Sequence, residues 1–183
     1  MARSQGSGLS LRGGSGGGGT PGRVAGAVVS SSAGLLPSTT VNAGYKNLEI
    51  TLHGTESFGT HFFQLYFNGD TTLANYYLNH VSKYSSGTFS SLNQQAPYLG
   101  SFYAADTDAY SIITIPYYAS TGTKTAFFTH SVQSPSAAVY LTGAIYYKQT
   151  DPITSVQISL RDSFNTIGTA QNVTATYSLT YLL

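Results

Sequence analysis

Any chemistry in this 183-residue chain would have to be built from four histidines, seven carboxylates and no cysteine. His53, His61, His80 and His130 show neither a His-x-His nor a His-Glu-x-x-His spacing, so no two imidazoles are set on one face for a metal. They read as surface or turn residues. The lack of cysteine removes thiolate zinc sites, disulfide frameworks and cysteine nucleophiles together. Asp106-Thr107-Asp108 offers two carboxylates to a hard cation, yet in a Thr-rich stretch the pattern reads as a turn. Glu49 and Glu56 would form a glycosidase couple only if the fold set them ~5–9.5 Å apart. No Gly-x-Ser-x-Gly elbow occurs, and the glycine-rich stretch near the N-terminus lacks the Lys-[Ser/Thr] ending of a phosphate loop. The expectation is a protein that is not an enzyme and carries no cofactor or metal.

Aromatic side chains are the other carriers of function. The chain has 15 Tyr and 9 Phe but no Trp. Tyr76-Tyr77, Tyr117-Tyr118 and Tyr146-Tyr147 are adjacent pairs, and on a strand one ring of each points inward and the other outward. The inward ring is core. The outward ring is a cross-strand neighbour or an interface anchor, and Tyr77, Tyr118 and Tyr147 are assigned that role. A sugar platform is the lesser reading, because stacking on carbohydrate favours Trp.

The elements that would position these groups are strands. Leu48, Ile50 and Leu52 alternate with Glu49, Thr51 and His53; Phe63, Leu65 and Phe67 alternate with Gln64 and Tyr66. Asn68-Gly69 follows, the preferred pair for a type I′ hairpin turn. Further runs cover Asn75–Val81, Tyr98–Ala104, Ser111–Tyr117, Thr123–Val132, Ala137–Tyr147, Thr154–Leu160 and Val173–Leu182. In the last, Val173, Ala175, Tyr177, Leu179 and Tyr181 share one face. Nine strands without a helical stretch predict an all-β antiparallel sandwich of the jelly-roll type.

Composition divides the chain near residue 44. Twelve of the 20 glycines lie in positions 1–44, a stretch that holds Arg3, Arg12 and Arg23 and no acidic residue. Residues 1–43 therefore read as an extended Gly/Ser-rich arm, and 44–183 as the sandwich domain. Such an arm gains order only on a partner, with Val28, Val29, Leu35 and Leu36 as apolar anchors and the three arginines as charged ones. Only 8% of residues are charged and the net charge is +1. A surface this neutral suits packing against neighbours and offers no basic cluster for nucleic acid. No segment approaches the ~18–20 apolar residues of a membrane span or the apolar stretch of a secretion signal.

Several phrases carry a resemblance. Gly44-Tyr45-Lys46-Asn47-Leu48-Glu49-Ile50, Leu65-Tyr66-Phe67-Asn68-Gly69-Asp70 and Asn75-Tyr76-Tyr77 are three of them. Ile115-Pro116-Tyr117-Tyr118-Ala119-Ser120 and Asp151-Pro152-Ile153-Thr154-Ser155-Val156 are two more. Together the chain resembles small β-sandwich virion proteins of tailed bacteriophages over most of residues 44–183. Members of that group often close on Leu-Tyr-Gly-Ile; this chain ends Leu179-Thr180-Tyr181-Leu182-Leu183, which leaves the partner of the last strand open. The resemblance implies a capsid decoration (cement) protein, made in the host cytoplasm and located in the virion. Its implied partner is the major capsid protein, with self-association, a trimer favoured, to cover strand edges. The alternative it leaves is a tail-fibre or baseplate module that binds a host glycan through the loops at Gly69–Ala74 and Ala104–Asp108. A carbohydrate-active or carbohydrate-binding domain of cellular origin is the third reading.

Overall fold

The structure, a computed structural model, describes residues 22–31, 36–56, 62–87, 89–101, 107–133, 138–161 and 173–183. Twelve strands run through them: β1 (Arg23–Ser31), β2 (Thr39–Thr40), β3 (Asn47–Glu56), β4 (Phe62–Phe67), β5 (Tyr76–Tyr84) and β6 (Phe89–Gln94), then β7 (Tyr98–Ser101), β8 (Thr107–Pro116), β9 (Lys124–Gln133), β10 (Ala138–Tyr147), β11 (Ser155–Arg161) and β12 (Val173–Leu182). One 3-10 turn, Leu73–Asn75, precedes β5, and no α-helix occurs among the described residues. All ladders are antiparallel. They form a sheet of eight strands in the order β1-β12-β3-β8-β9-β10-β5-β6, and a sheet of four in the order β2-β11-β4-β7.

The fold is an all-β sandwich, as the alternation predicts. Its pairings are nested: β3 pairs with β12, β4 with β11, β5 with β10, and β8 with β9. That is one long antiparallel ribbon folded over on itself, the connectivity of a jelly roll. The sheets are unequal because the innermost pair, β8 and β9, stays in the large sheet, while β1 and β6 extend its edges.

The nine expected strands correspond to β3, β4, β5 and β7 to β12. β6 escapes the pattern because Ser90-Ser91-Leu92-Asn93-Gln94 offers almost no apolar alternation. β12 has partners on both sides, β1 and β3, which answers the question left by its unusual ending.

The N-terminal boundary is a correction. Residues 23–31 pair with β12 over most of their length, and the chain then places Leu36 fully inside the core and Val41 beside it. The short β2 adds to β11. The sandwich therefore begins at Arg23, not at residue 44, because glycine does not prevent β1 from joining a ladder whose bonds are backbone to backbone. Tyr177 ties the same stretch down by donating its hydroxyl to the Pro37 carbonyl at 2.8 Å.

The core lies between the sheets. Leu48, Ile50 and Leu52 of β3, Ile113 and Ile115 of β8, and Tyr177 and Leu179 of β12 meet Phe63, Leu65, Phe67, Val156 and Ile158 of the small sheet. Full burial of each such side chain contributes about 1.5–3 kcal/mol before entropy is set against it. Asn68 and Gly69 do adopt positive φ, 53° and 68°, as the Asn-Gly pair requires. The strands they join belong to different sheets, however, so this turn is a corner between layers and not a hairpin.

Candidate functional site

The inner face of the large sheet gathers the groups that could do acid–base chemistry. His130 and Ser111 lie side by side on β9 and β8, with Ser111 Oγ 2.8 Å from His130 Nδ1. The distance is that of a nucleophile and its base. Both residues are fully buried, and Gly100 of β7 is pressed against the imidazole: a Cβ there would lie 2.3 Å from Nε2. No substrate reaches the pair, so it acts as a hydrogen bond within the sandwich.

His80 is also buried, on β5 against Tyr98, with ring centroids 5.9 Å apart. Its Nδ1 has no hydrogen-bond partner, and burial holds its pKa below the usual 6.5. Lys124 faces inward at the end of β9 and donates to the Gly122 carbonyl. Burial lowers its pKa, against the pull of the Asp151 carboxylate.

Two histidines expected at the surface are thus interior; the alternation of β5 and β9 puts them on the inner phase. His53 does stand outward on β3, 3.7 Å from Asp108. His61 and Asp106 lie outside the described residues. Glu49 and Glu56 are seven residues apart on β3, ~23 Å at strand rise, which excludes the glycosidase couple. No group of three metal-ligating side chains occurs among the described residues.

The corner at residues 68–76 is a hydrogen-bonded knot. Asp70 accepts from the Thr72 N–H at 2.9 Å and from the Asn75 amide at 2.7 Å. Asn68 Oδ1 accepts from the Thr154 N–H at 2.7 Å, while its amide donates to the Pro152 carbonyl at 2.9 Å. This corner sits at the Tyr76–Tyr147–Lys124 end of the large sheet. Thr107, where β8 starts, pairs with Glu56 at the opposite end. The loops expected to form one glycan-binding end are therefore far apart.

The outer face of the large sheet is the feature sequence reasoning missed. Tyr77, Val81, Tyr110, Ile112, Phe127, Tyr140 and Tyr146 all stand exposed on it. Tyr146 and Tyr77 are direct cross-strand neighbours, and Tyr110, Ser131 and Tyr140 form one row across β8, β9 and β10. Thr51, Thr174, Thr176, Ser178 and Thr180 flank this patch on β3 and β12. Charge is scarce: Arg23 pairs with Glu49, Asp108 lies beside His53, and Lys83 stands at the far margin. An apolar patch with a hydroxyl-rich rim is the anatomy of a contact surface. The signal was available in Phe127, which breaks a Thr/Ser/Gln outer phase on β9.

The assigned interface aromatics need the same correction. Tyr77 is outward, 43% exposed, but Tyr118 and Tyr147 are buried at 0% and 2%, and Tyr117 and Tyr146 take the outward places. Burial pushes the Tyr118 and Tyr147 hydroxyls up to about 12. Period-two alternation guarantees one ring on each side without saying which. Among the assigned arm residues, Leu36 is core, Val28 is 69% exposed on β1, and Arg23 is held by Glu49 of its own chain. Val29 lies within β1. Arg3, Arg12 and Leu35 lie outside the described residues.

No protein-family model matches the chain, and no curated protein is similar to it.

Proposed function

We propose that this protein is a structural component of a bacteriophage virion, a decoration protein that stabilises the capsid shell and has the major capsid protein as its partner. The observation that carries the reading is the outer face of the large sheet, a broad surface with exposed aromatics and almost no net charge. Such a face favours lasting contact over solubility as a free monomer. The inner-face polar groups are enclosed, which fits a part that binds and does not turn over a substrate.

The N-terminal segment supplies the attachment to the shell. Leu183 donates its N–H to the Gly22 carbonyl at 2.9 Å, so Gly22 lies beside the end of β12. With Arg23 engaged by Glu49, the charged anchors toward acidic capsid residues are Arg3 and Arg12. Tethering by a segment outside the body adds valency without enlarging the body's own interface.

Binding of purified protein to empty shells tests this. Deletion of residues 1–21 should weaken shell binding and leave the sandwich folded. Undiminished decoration by the truncated chain would contradict the tether, and failure of the intact chain to bind any shell would contradict the function.

A further inference from the structure

We infer that the outer face of the eight-stranded sheet is the contact surface between two copies of this chain, packed sheet on sheet about a two-fold axis. The inference goes beyond the virion reading and stands without it, since it concerns the purified chain alone.

Area is the first argument. β12, β3, β8, β9 and β10 each have ten residues and β5 has nine. At strand rise and spacing these six cover about 33 by 29 Å, or about 950 Å². A standard interface takes ~800 Å² from each partner, so one such face is sufficient.

Charge is the second. A two-fold contact sets a surface against itself, so every unpaired charge near the axis meets its own kind. Here the outward positions of β9 and β10 hold no charged residue, and Arg23 pairs with Glu49. The other outward charges, Asp108 beside His53 and Lys83 beside Tyr140, lie toward one end of the face, away from Ile112 and Phe127. At the centre of the face a partner of opposite charge would find nothing to read, whereas a second copy meets no repulsion there.

Relief is the third. Phe127, 53% exposed, projects beside a shallow hollow lined by Ile112, Thr129 and Thr142. A knob next to a hollow is what a two-fold operation needs to seat each ring in the opposite copy. Two twisted sheets pack in this way at ~10 Å separation and about −30°. Ile112 and Phe127 then fill the centre, Tyr110 and Tyr140 lie toward one end and Tyr146 toward the other, and the threonines of β3 and β12 form the rim.

Sedimentation equilibrium of the full-length chain tests the pairing. A species of twice 19.3 kDa is expected above ~10 µM. Phe127→Lys should raise the dissociation constant at least ~30-fold with the far-ultraviolet circular dichroism of the folded sandwich retained. Tyr140→Lys should do the same and serves if the first variant misfolds. Tyr117→Lys, exposed but on the turn between β8 and β9, should leave association intact. An equimolar mixture of Phe127→Lys and Phe127→Glu should associate more tightly than either alone. A monomer at these concentrations, a trimer, or a Phe127→Lys dimer as tight as the parent would each overturn the proposal. So would a loss of glycan binding as the sole effect of Phe127→Lys.

Discussion

The hydroxyl of Tyr147, the last residue of β10, donates to the Asp70 carboxylate at 3.2 Å and ties the large sheet to the corner by which the chain leaves the small one. Tyr76 closes the knot from beneath, donating to the Asp70 carbonyl at 2.7 Å and accepting from the Phe67 N–H at 3.0 Å. Burial pushes the Asp70 carboxyl up, but hydrogen bonds from Thr72, Asn75 and Tyr147 outweigh it and hold the group below its usual 3.8.

A carboxylate depressed in the fold stabilises above its unfolded value, and that stability is lost as pH falls through the lowered one. Asp70→Ala should therefore cost about 1–3 kcal/mol at neutral pH in urea titration. Asp70→Asn should flatten the acid limb below pH ~4.

His80 gives the second acid-sensitive element. Its folded value lies below 6.5, so the unfolded chain takes up the proton first and stability falls as pH drops from about 6.5 toward the lowered value. His80→Leu removes both the titration and the unpartnered Nδ1. Thermal melts from pH 7 to pH 5 should show a shallower decline for the variant; an unchanged slope would place the titration elsewhere.

Gly100 and Gly69 test two different demands for glycine. At Gly100 a Cβ would lie 2.1 Å from His130 Cδ2, while φ is ordinary; at Gly69 space is open but φ is 68°. Gly100→Ala should cost about 1–3 kcal/mol by overpacking, rescued in part by a smaller residue at 130. Gly69→Ala should cost about 1 kcal/mol through backbone strain, with no rescue at 130. Denaturation midpoints of the single and double variants separate the two.

The N-terminal stretch makes a further prediction. Leu36→Ala should cost about 2–5 kcal/mol, as for any buried leucine. Deletion of residues 1–21 should leave the unfolding midpoint within error, whereas deletion through residue 40 removes β1 and Leu36 and should abolish cooperative unfolding.

Much of the fold was legible because β3 and β12 separate apolar from polar residues cleanly, so pattern and burial agree, whereas β4 buries Gln64 and Tyr66 as well as its apolar phase. It failed where the two faces of a strand resemble each other. β9 turns Lys124, Ala126, Phe128 and His130 inward while Phe127 faces out. Nothing local favours that phase; the pairing with β8 and β10 fixes it. β1 failed for a different reason, since its place depends on β12, a partner about 150 residues away in sequence. The outer face was hidden for the same cause: it exists only when β8, β9, β10 and β5 are side by side.

Copy number in purified particles tests the central claim most directly. Quantitative mass spectrometry against the major capsid protein should return a count that follows the symmetry of the shell, with one association per repeating capsid site. Absence from particles, or a count fixed at the low symmetry of a tail, would contradict the account.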